Sequence, residues 1–186
     1  MGRNGEGDFN EVHYVVLEGR SISKLFFEAE DYYRLMNMLF EKQTRLGYSV
    51  YAFCLFDNSI HIMLETFGNS VEDVINNIED EYQMRYRVKY SSANKIFKSK
   101  KRIVDITDER MFLMFLRYIV QMPIGLGICE EVGMYNYSSF KMYFQDEKLC
   151  RLDMERIDSY FKSNIDLYEF LSKSEEINVL KSRKRR

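Results

Sequence analysis

The sequence predicts an α+β fold built on a split βαβ unit with a central antiparallel sheet. Three observations predict it. The segments alternate as strand, helix, strand, strand, helix, strand, helix; the two middle strands are separated only by Asp57 and Asn58; and the helical segments carry apolar residues at helical spacing. With 186 residues and a hydrophobic share of 46%, the chain can bury one core of ordinary size.

Taken in order, the polar, glycine-rich start "MGRNGEGDFN" is a frayed arm over 1–10. From Glu11, "EVHYVVLEG" is a β-branched and aromatic run closed by Gly19, the pattern of a buried strand. In "FFEAEDYYRLMNMLFEKQTRLG", the apolar residues Tyr32, Leu35, Met36, Leu39 and Phe40 fall on one helical face, and Gly47 supplies the stop. "YSVYAFCLF" and "SIHIMLET" then read as an antiparallel hairpin. A second helix follows, with Ser70 and Asp73 in capping-box spacing and Val71, Val74, Ile75, Ile78 and Tyr82 on one face. "KIFKSKKRIVDI" is a basic loop entering a strand. Thr107-Asp108 caps a third helix, "ERMFLMFLRYIVQM", expected to stop at Pro123, the only proline. Beyond it come a loop with a short helix and, from Asp153 to Ser172, two more short helices. This order is the ferredoxin-like arrangement. The boundaries it implies are an arm at 1–10, the main domain at 11–144, a helical C-terminal extension at 145–180 and a basic tail at 181–186.

No run of 18 apolar residues is present, so no membrane span is expected. Cys54, Cys129 and Cys150 are widely spaced without a CxxC pair, which speaks against a zinc knuckle and a secretory route and for a reduced cytoplasmic protein. The net charge of -2 hides a segregation of sign. Between Tyr82 and Arg102 lie eight Lys/Arg residues and no acid, and the tail "KSRKRR" adds five more. Setting these thirteen aside leaves fourteen basic residues against 29 acidic ones, a net -15. A basic run can be a solvated helix face. Interleaved with Tyr82, Tyr86, Tyr90 and Phe97, it also suits phosphate contact with base stacking.

Position 59 and His61 share a strand face, with Asp57 near the same side. Two histidines there would chelate a divalent ion; this chain has Ser59 and His61, so on the hairpin alone His61 is either a packed residue or half of a metal site.

Several segments together carry a family resemblance. "FLRYIVQMPIGLGICEEVGMYNYSSFKMYF" (115–144) resembles the signature of the REP-associated tyrosine transposases, in which a helix ending near "RYIHLNPVRAGLV" precedes a tryptophan- or tyrosine-serine-serine segment. "YAFCLFDNSIHIMLET" is similar to that family's "AYCLMPNHVHLLLET", "LEGRSISKLFF" to "SRGNNRQPIFF", and "FKSKKRIVDITDE" to "FQGRFKSILVEDD". The pieces occur in order over about residues 12–144.

These proteins belong to the single-tyrosine HUH nucleases, and the resemblance implies the same split βαβ fold. It further implies a tyrosine, here Tyr118, that attacks a phosphodiester of single-stranded DNA. The products would be a 5′-phosphotyrosine and a free 3′-hydroxyl, with Mg²⁺ or Mn²⁺ polarising the phosphate. Two ligand positions depart from the pattern: Ser59 replaces the first histidine, and Met122 replaces an asparagine one turn after the tyrosine. The ligand set left to such an ion is His61, Asp57 and Gln121. Tyr14 takes the place of a further family histidine, and His13 is assigned no role. The DNA-facing residues implied are Arg85, Arg87, Lys89, Lys95, Lys98, Lys100, Lys101 and Arg102.

The expected partner is single-stranded or hairpin DNA of a bacterial mobile element, bound by a monomer or a homodimer. Three readings remain open at this point: a nicking and rejoining transposase, a DNA-binding descendant without turnover, and an interaction domain with an aromatic protein-binding surface.

Overall fold

The computed structural model describes residues 9, 11–20, 24–146 and 151–173. Most of the arm expected at 1–10 and all of the tail at 181–186 lie outside them. Strands β1 (Val12–Glu18), β2 (Tyr48–Phe56), β3 (Ser59–Thr66) and β4 (Arg102–Asp105) form one antiparallel sheet in the order β2-β3-β1-β4. β3 is inserted between β1 and β2, so the βαβ unit is split as predicted. Register places Val16 opposite His61 and Glu18 opposite Ser59, and on the other side Cys54 opposite His61. A bulge between Val50 and Ala52 lets β2 keep this register along its whole length.

The strands' alternation gives the sheet two apolar faces, each covered by helix. On the face of Phe53, Ile60 and Ile62 lie α1 (Ala29–Glu41) and α3 (Val71–Tyr90), with Phe40 edge-on to Phe53. α3 begins where expected: the Ser70 hydroxyl accepts from the Asp73 amide. The first long helix is shorter than the sequence suggests. It starts at Ala29, where the Asp31 carboxylate accepts from the Phe27 and Glu28 amides at 2.9 and 3.2 Å, and it breaks at Lys42, whose ammonium turns inward to Glu81 and Asn77. The last turn is a separate α2 (Gln43–Leu46), ended by Gly47 at φ +59.

On the opposite face, that of Tyr14 and His61, lies α4 (Glu109–Gly125), capped by Asp108, with Phe115 stacked on Tyr14 at 4.6 Å. Pro123 does not stop this helix. It sits in the last turn, where its missing N–H forfeits a single bond, and the helix continues to Gly125. The stop is Gly127 at φ +70. Its N–H bonds the Ile124 carbonyl and the Ile128 N–H bonds the Pro123 carbonyl, the paired closure that a left-handed residue allows.

After α4 the chain runs along the outer edge of β2. Leu55 donates to the Tyr137 carbonyl at 2.9 Å and Ser139 to the Phe53 carbonyl at 3.0 Å, before a 3₁₀ turn at Phe140–Phe144. The expected C-terminal helices are α5 (Glu155–Asp158) and α6 (Asn164–Ser172). They pack into the same core through Ile157, Leu167 and Leu171, and Arg156 reaches Glu65 of β3 at 3.0 Å in a pair that is nine-tenths buried. Among the described residues, no helix is long and apolar enough to cross a membrane.

Candidate functional site

One end of the sheet gathers the C-terminus of β1, the β2–β3 turn and the end of α4. Between them lies a cleft of about 760 Å³. Its polar side is Glu18, Asp57, Asn58, Ser59, His61 and Lys98; Phe56, Met122, Leu126, Ile128 and Tyr135 form an apolar wall.

His61 projects from β3 into a closed hydrogen-bond array. Its Nδ1 lies 2.7 Å from the Tyr14 hydroxyl and its Nε2 lies 3.1 Å from the Ser59 hydroxyl. Either imidazole tautomer satisfies both contacts, and in either both ring nitrogens are used. Burial, reinforced by the positive field of Arg102, pushes the His61 pKa down to about 4, so the ring is neutral near pH 7. Burial and the Tyr118 hydroxyl beside it push the Tyr14 phenol well above its ordinary range, so Tyr14 is protonated. Tyr118, half-buried on α4, meets the Tyr14 ring edge-on at 6.2 Å. The chain's own α4 therefore carries Tyr118 to its own β1 and β3, and Tyr118, Tyr14, His61 and Ser59 follow one another across the sheet face.

The metal ligands expected from sequence are not assembled. Asp57 shares the cleft with His61, but its Oδ1 accepts from Tyr32 at 2.7 Å and its Oδ2 pairs with Lys24 at 2.8 Å. That hydrogen bond to Lys24 first, and the one from Tyr32 second, hold its carboxyl below the usual range. Gln121 is turned to another surface: its Nε2 donates to the carbonyls of Leu171 and Lys173 at 2.7 and 2.9 Å, between α4 and the end of α6. Met122 offers the cleft a thioether, a poor donor for a hard cation. Among the described residues, no three of His, Cys, Asp and Glu converge as a metal cluster. With both His61 nitrogens engaged, Gln121 turned away and Asp57 paired with Lys24, the residues as arranged do not fit Mg²⁺ or Mn²⁺.

The eight predicted DNA-facing cations separate into groups. Arg85, Arg87 and Lys89 belong to α3, in the layer across the sheet from His61. Arg85 pairs with Glu81, and Lys89 is held by Glu28, Glu30 and Asp31. Lys101 is drawn into a largely buried pair with Glu79 at 2.6 Å, with Asn76 as a second acceptor. Lys98 and Arg102 flank Glu18 at 2.6 and 3.8 Å, at the cleft. Arg87, Lys95 and Lys100 are exposed and make no ion pair within 4 Å among the described residues.

Sequence reasoning put Tyr14 in the place of a family histidine without giving it a role, and missed Glu18 as part of the site. Their period-2 spacing with Val12 and Val16 put them on one strand face. Which strand that face would meet, and in which register, carried no local signal.

No protein-family model matches the chain, and no curated protein matches it in sequence. In structure it is similar to a REP-associated tyrosine transposase solved bound to a REP hairpin. The TM-score is 0.62 at 12% identity, over 77% of this chain and 84% of that one. A looser likeness, with a TM-score of 0.47 at 11% identity, joins 64% of this chain to 95% of a transposase candidate from Deinococcus radiodurans R1. At these identities the first likeness is one of fold, and the fold is transposase-like.

Proposed function

We propose that this transposase-like protein binds single-stranded or hairpin DNA and does not cleave it. The observation that carries the reading is the placement of Lys98 in a cleft with an apolar wall, with Arg102 beside the cleft's Glu18, after a connection that also bears exposed Lys95 and Lys100. Cations with an adjacent aromatic and aliphatic wall suit a charged backbone with unpaired bases. The solved transposase of similar fold was bound to a hairpin, which supports the same class of partner here.

Cleavage is disfavoured by the same geometry. Nucleophilic attack by Tyr118 needs a proton acceptor and a stabiliser of phosphate charge. His61, whose protonated form is stable only below about pH 4, is a weak acceptor for a phenolic proton. A divalent ion would have to displace Tyr14 or Ser59 from the His61 ring and compete with the Lys24 ammonium for Asp57.

The test mixes the purified chain with labelled hairpin and unpaired strands from the flanks of its own gene, with Mg²⁺ or Mn²⁺, and separates products under denaturing conditions. We expect salt-sensitive retention in native gels and no denaturant-resistant adduct. An adduct formed by the wild-type chain and lost in Tyr118→Phe would establish the nicking and rejoining activity instead.

A further inference from the structure

We infer that the Glu18–Lys98 ion pair is the resting form of a seat for one nucleic-acid backbone phosphate, in which a lysine ammonium takes the part of a divalent cation. The inference deepens the DNA-binding reading and rests on it. Of the eight basic residues singled out in sequence, Lys98 is the one whose side chain lines the cleft with His61 and Ser59.

Backbone pairing fixes its position. The Lys98 amide donates to the Glu18 carbonyl at 2.8 Å, the Arg20 amide to the Ile96 carbonyl at 2.8 Å, and Gly19 bridges Phe97. Ile96 and Phe97 are buried, so the residues before Lys98 extend the β1 pairing past the end of the strand. Lys98 is therefore held by ladder bonds and an apolar anchor, and only its side chain is free to change partners.

The ion pair itself is easily exchanged. Its side chains are 47% and 39% exposed, a setting in which such pairs contribute little to stability. Glu18 also lies 3.8 Å from Arg102, so it retains a cationic neighbour when Lys98 turns to a phosphate. The His61 ring nitrogens are already satisfied by Tyr14 and Ser59, so the ring does not compete for the ammonium. A phosphodiester entering the cleft meets an ammonium in place, with the apolar wall of Met122, Leu126 and Ile128 beside it for the attached base.

The experiment is fluorescence anisotropy of a labelled oligothymidine titrated with the full chain over a range of chloride concentrations, with and without a chelator. The wild-type protein is expected to bind equally well with the chelator. Lys98→Ala should weaken binding several-fold and make the dependence of log affinity on log salt shallower by about 0.7, the loss of one phosphate contact to a single strand. Glu18→Gln, which releases Lys98, should tighten it. Arg110→Ala, at the opposite end of α4, serves as the charge control and should leave the slope unchanged. If Lys98→Ala matches Arg110→Ala, or if the chelator abolishes binding, the seat is overturned while DNA binding stands. If the wild-type chain binds no strand at any salt concentration, the functional reading falls and the seat with it.

Discussion

At the scale of residues, His61 sets the pH behaviour of the site. The unfolded chain takes up a proton at this histidine near pH 6.5, and the folded chain refuses it until about pH 4. The stabilisation from keeping the ring neutral is therefore full above about pH 6.5, declines through that window and is gone below about 4. It totals on the order of 3 kcal/mol. Urea denaturation of wild-type and His61→Gln proteins across this range should show that slope only in the wild type, and the ring resonances should titrate near pH 4. Tyr14→Phe removes one partner from Nδ1 and should cost about 1–3 kcal/mol. The same replacement joined to Ser59→His removes the hydroxyl partners of both His61 ring nitrogens and adds a second imidazole. The double variant should bind Mn²⁺ detectably by electron paramagnetic resonance, and the wild type should not. Ser59 and His61 could be read from the hairpin because both lie within a few residues of a clear turn. Tyr14 could not, since its contact with His61 spans 47 positions and depends on β1 pairing with β3 in one register.

At the scale of elements, the end of α4 builds the cleft wall, and Gly127 rather than Pro123 determines it. Gly127→Ala meets no neighbour within 4 Å, so its cost is the left-handed backbone alone, about 1 kcal/mol, measurable as a lower thermal midpoint. Proline in a sequence marks where a hydrogen bond is lost, and whether a helix ends there depends on the carbonyls having other partners, which the following loop supplies. The hairpin and α3 were legible because alternation, the Asp57-Asn58 turn and the Ser70 cap are local signals. The break at Lys42 was not, because its cause is Glu81 and Asn77 on another helix. The C-terminal helices read as an extension, yet Arg156 ties them to the sheet. Arg156→Ala leaves Glu65 buried without that partner and should lower stability by about 3–5 kcal/mol in denaturant unfolding.

At the scale of the whole molecule, charge is distributed unlike the sequence suggests. The basic run reads as one strip, but Arg85, Lys89 and Lys101 are neutralised by acids of their own fold, some of them about sixty positions away. Fewer cations are left for phosphates than eight, so the salt dependence of DNA binding should be correspondingly gentle. A slope near that of three to five phosphate contacts, about -2 to -3.5 for a single strand, is expected, and one near eight contacts would show that the internal pairs open. The run along β2 has a different consequence. A four-stranded sheet has two borders, and an uncovered border invites pairing with a second chain. Here Tyr137 and Ser139 occupy the β2 border with main-chain bonds, while β4 at the other border has four residues and ends in Arg102 and Asp105. The covered β2 border and the short, charge-ended β4 border both work against pairing with the sheet of a second chain.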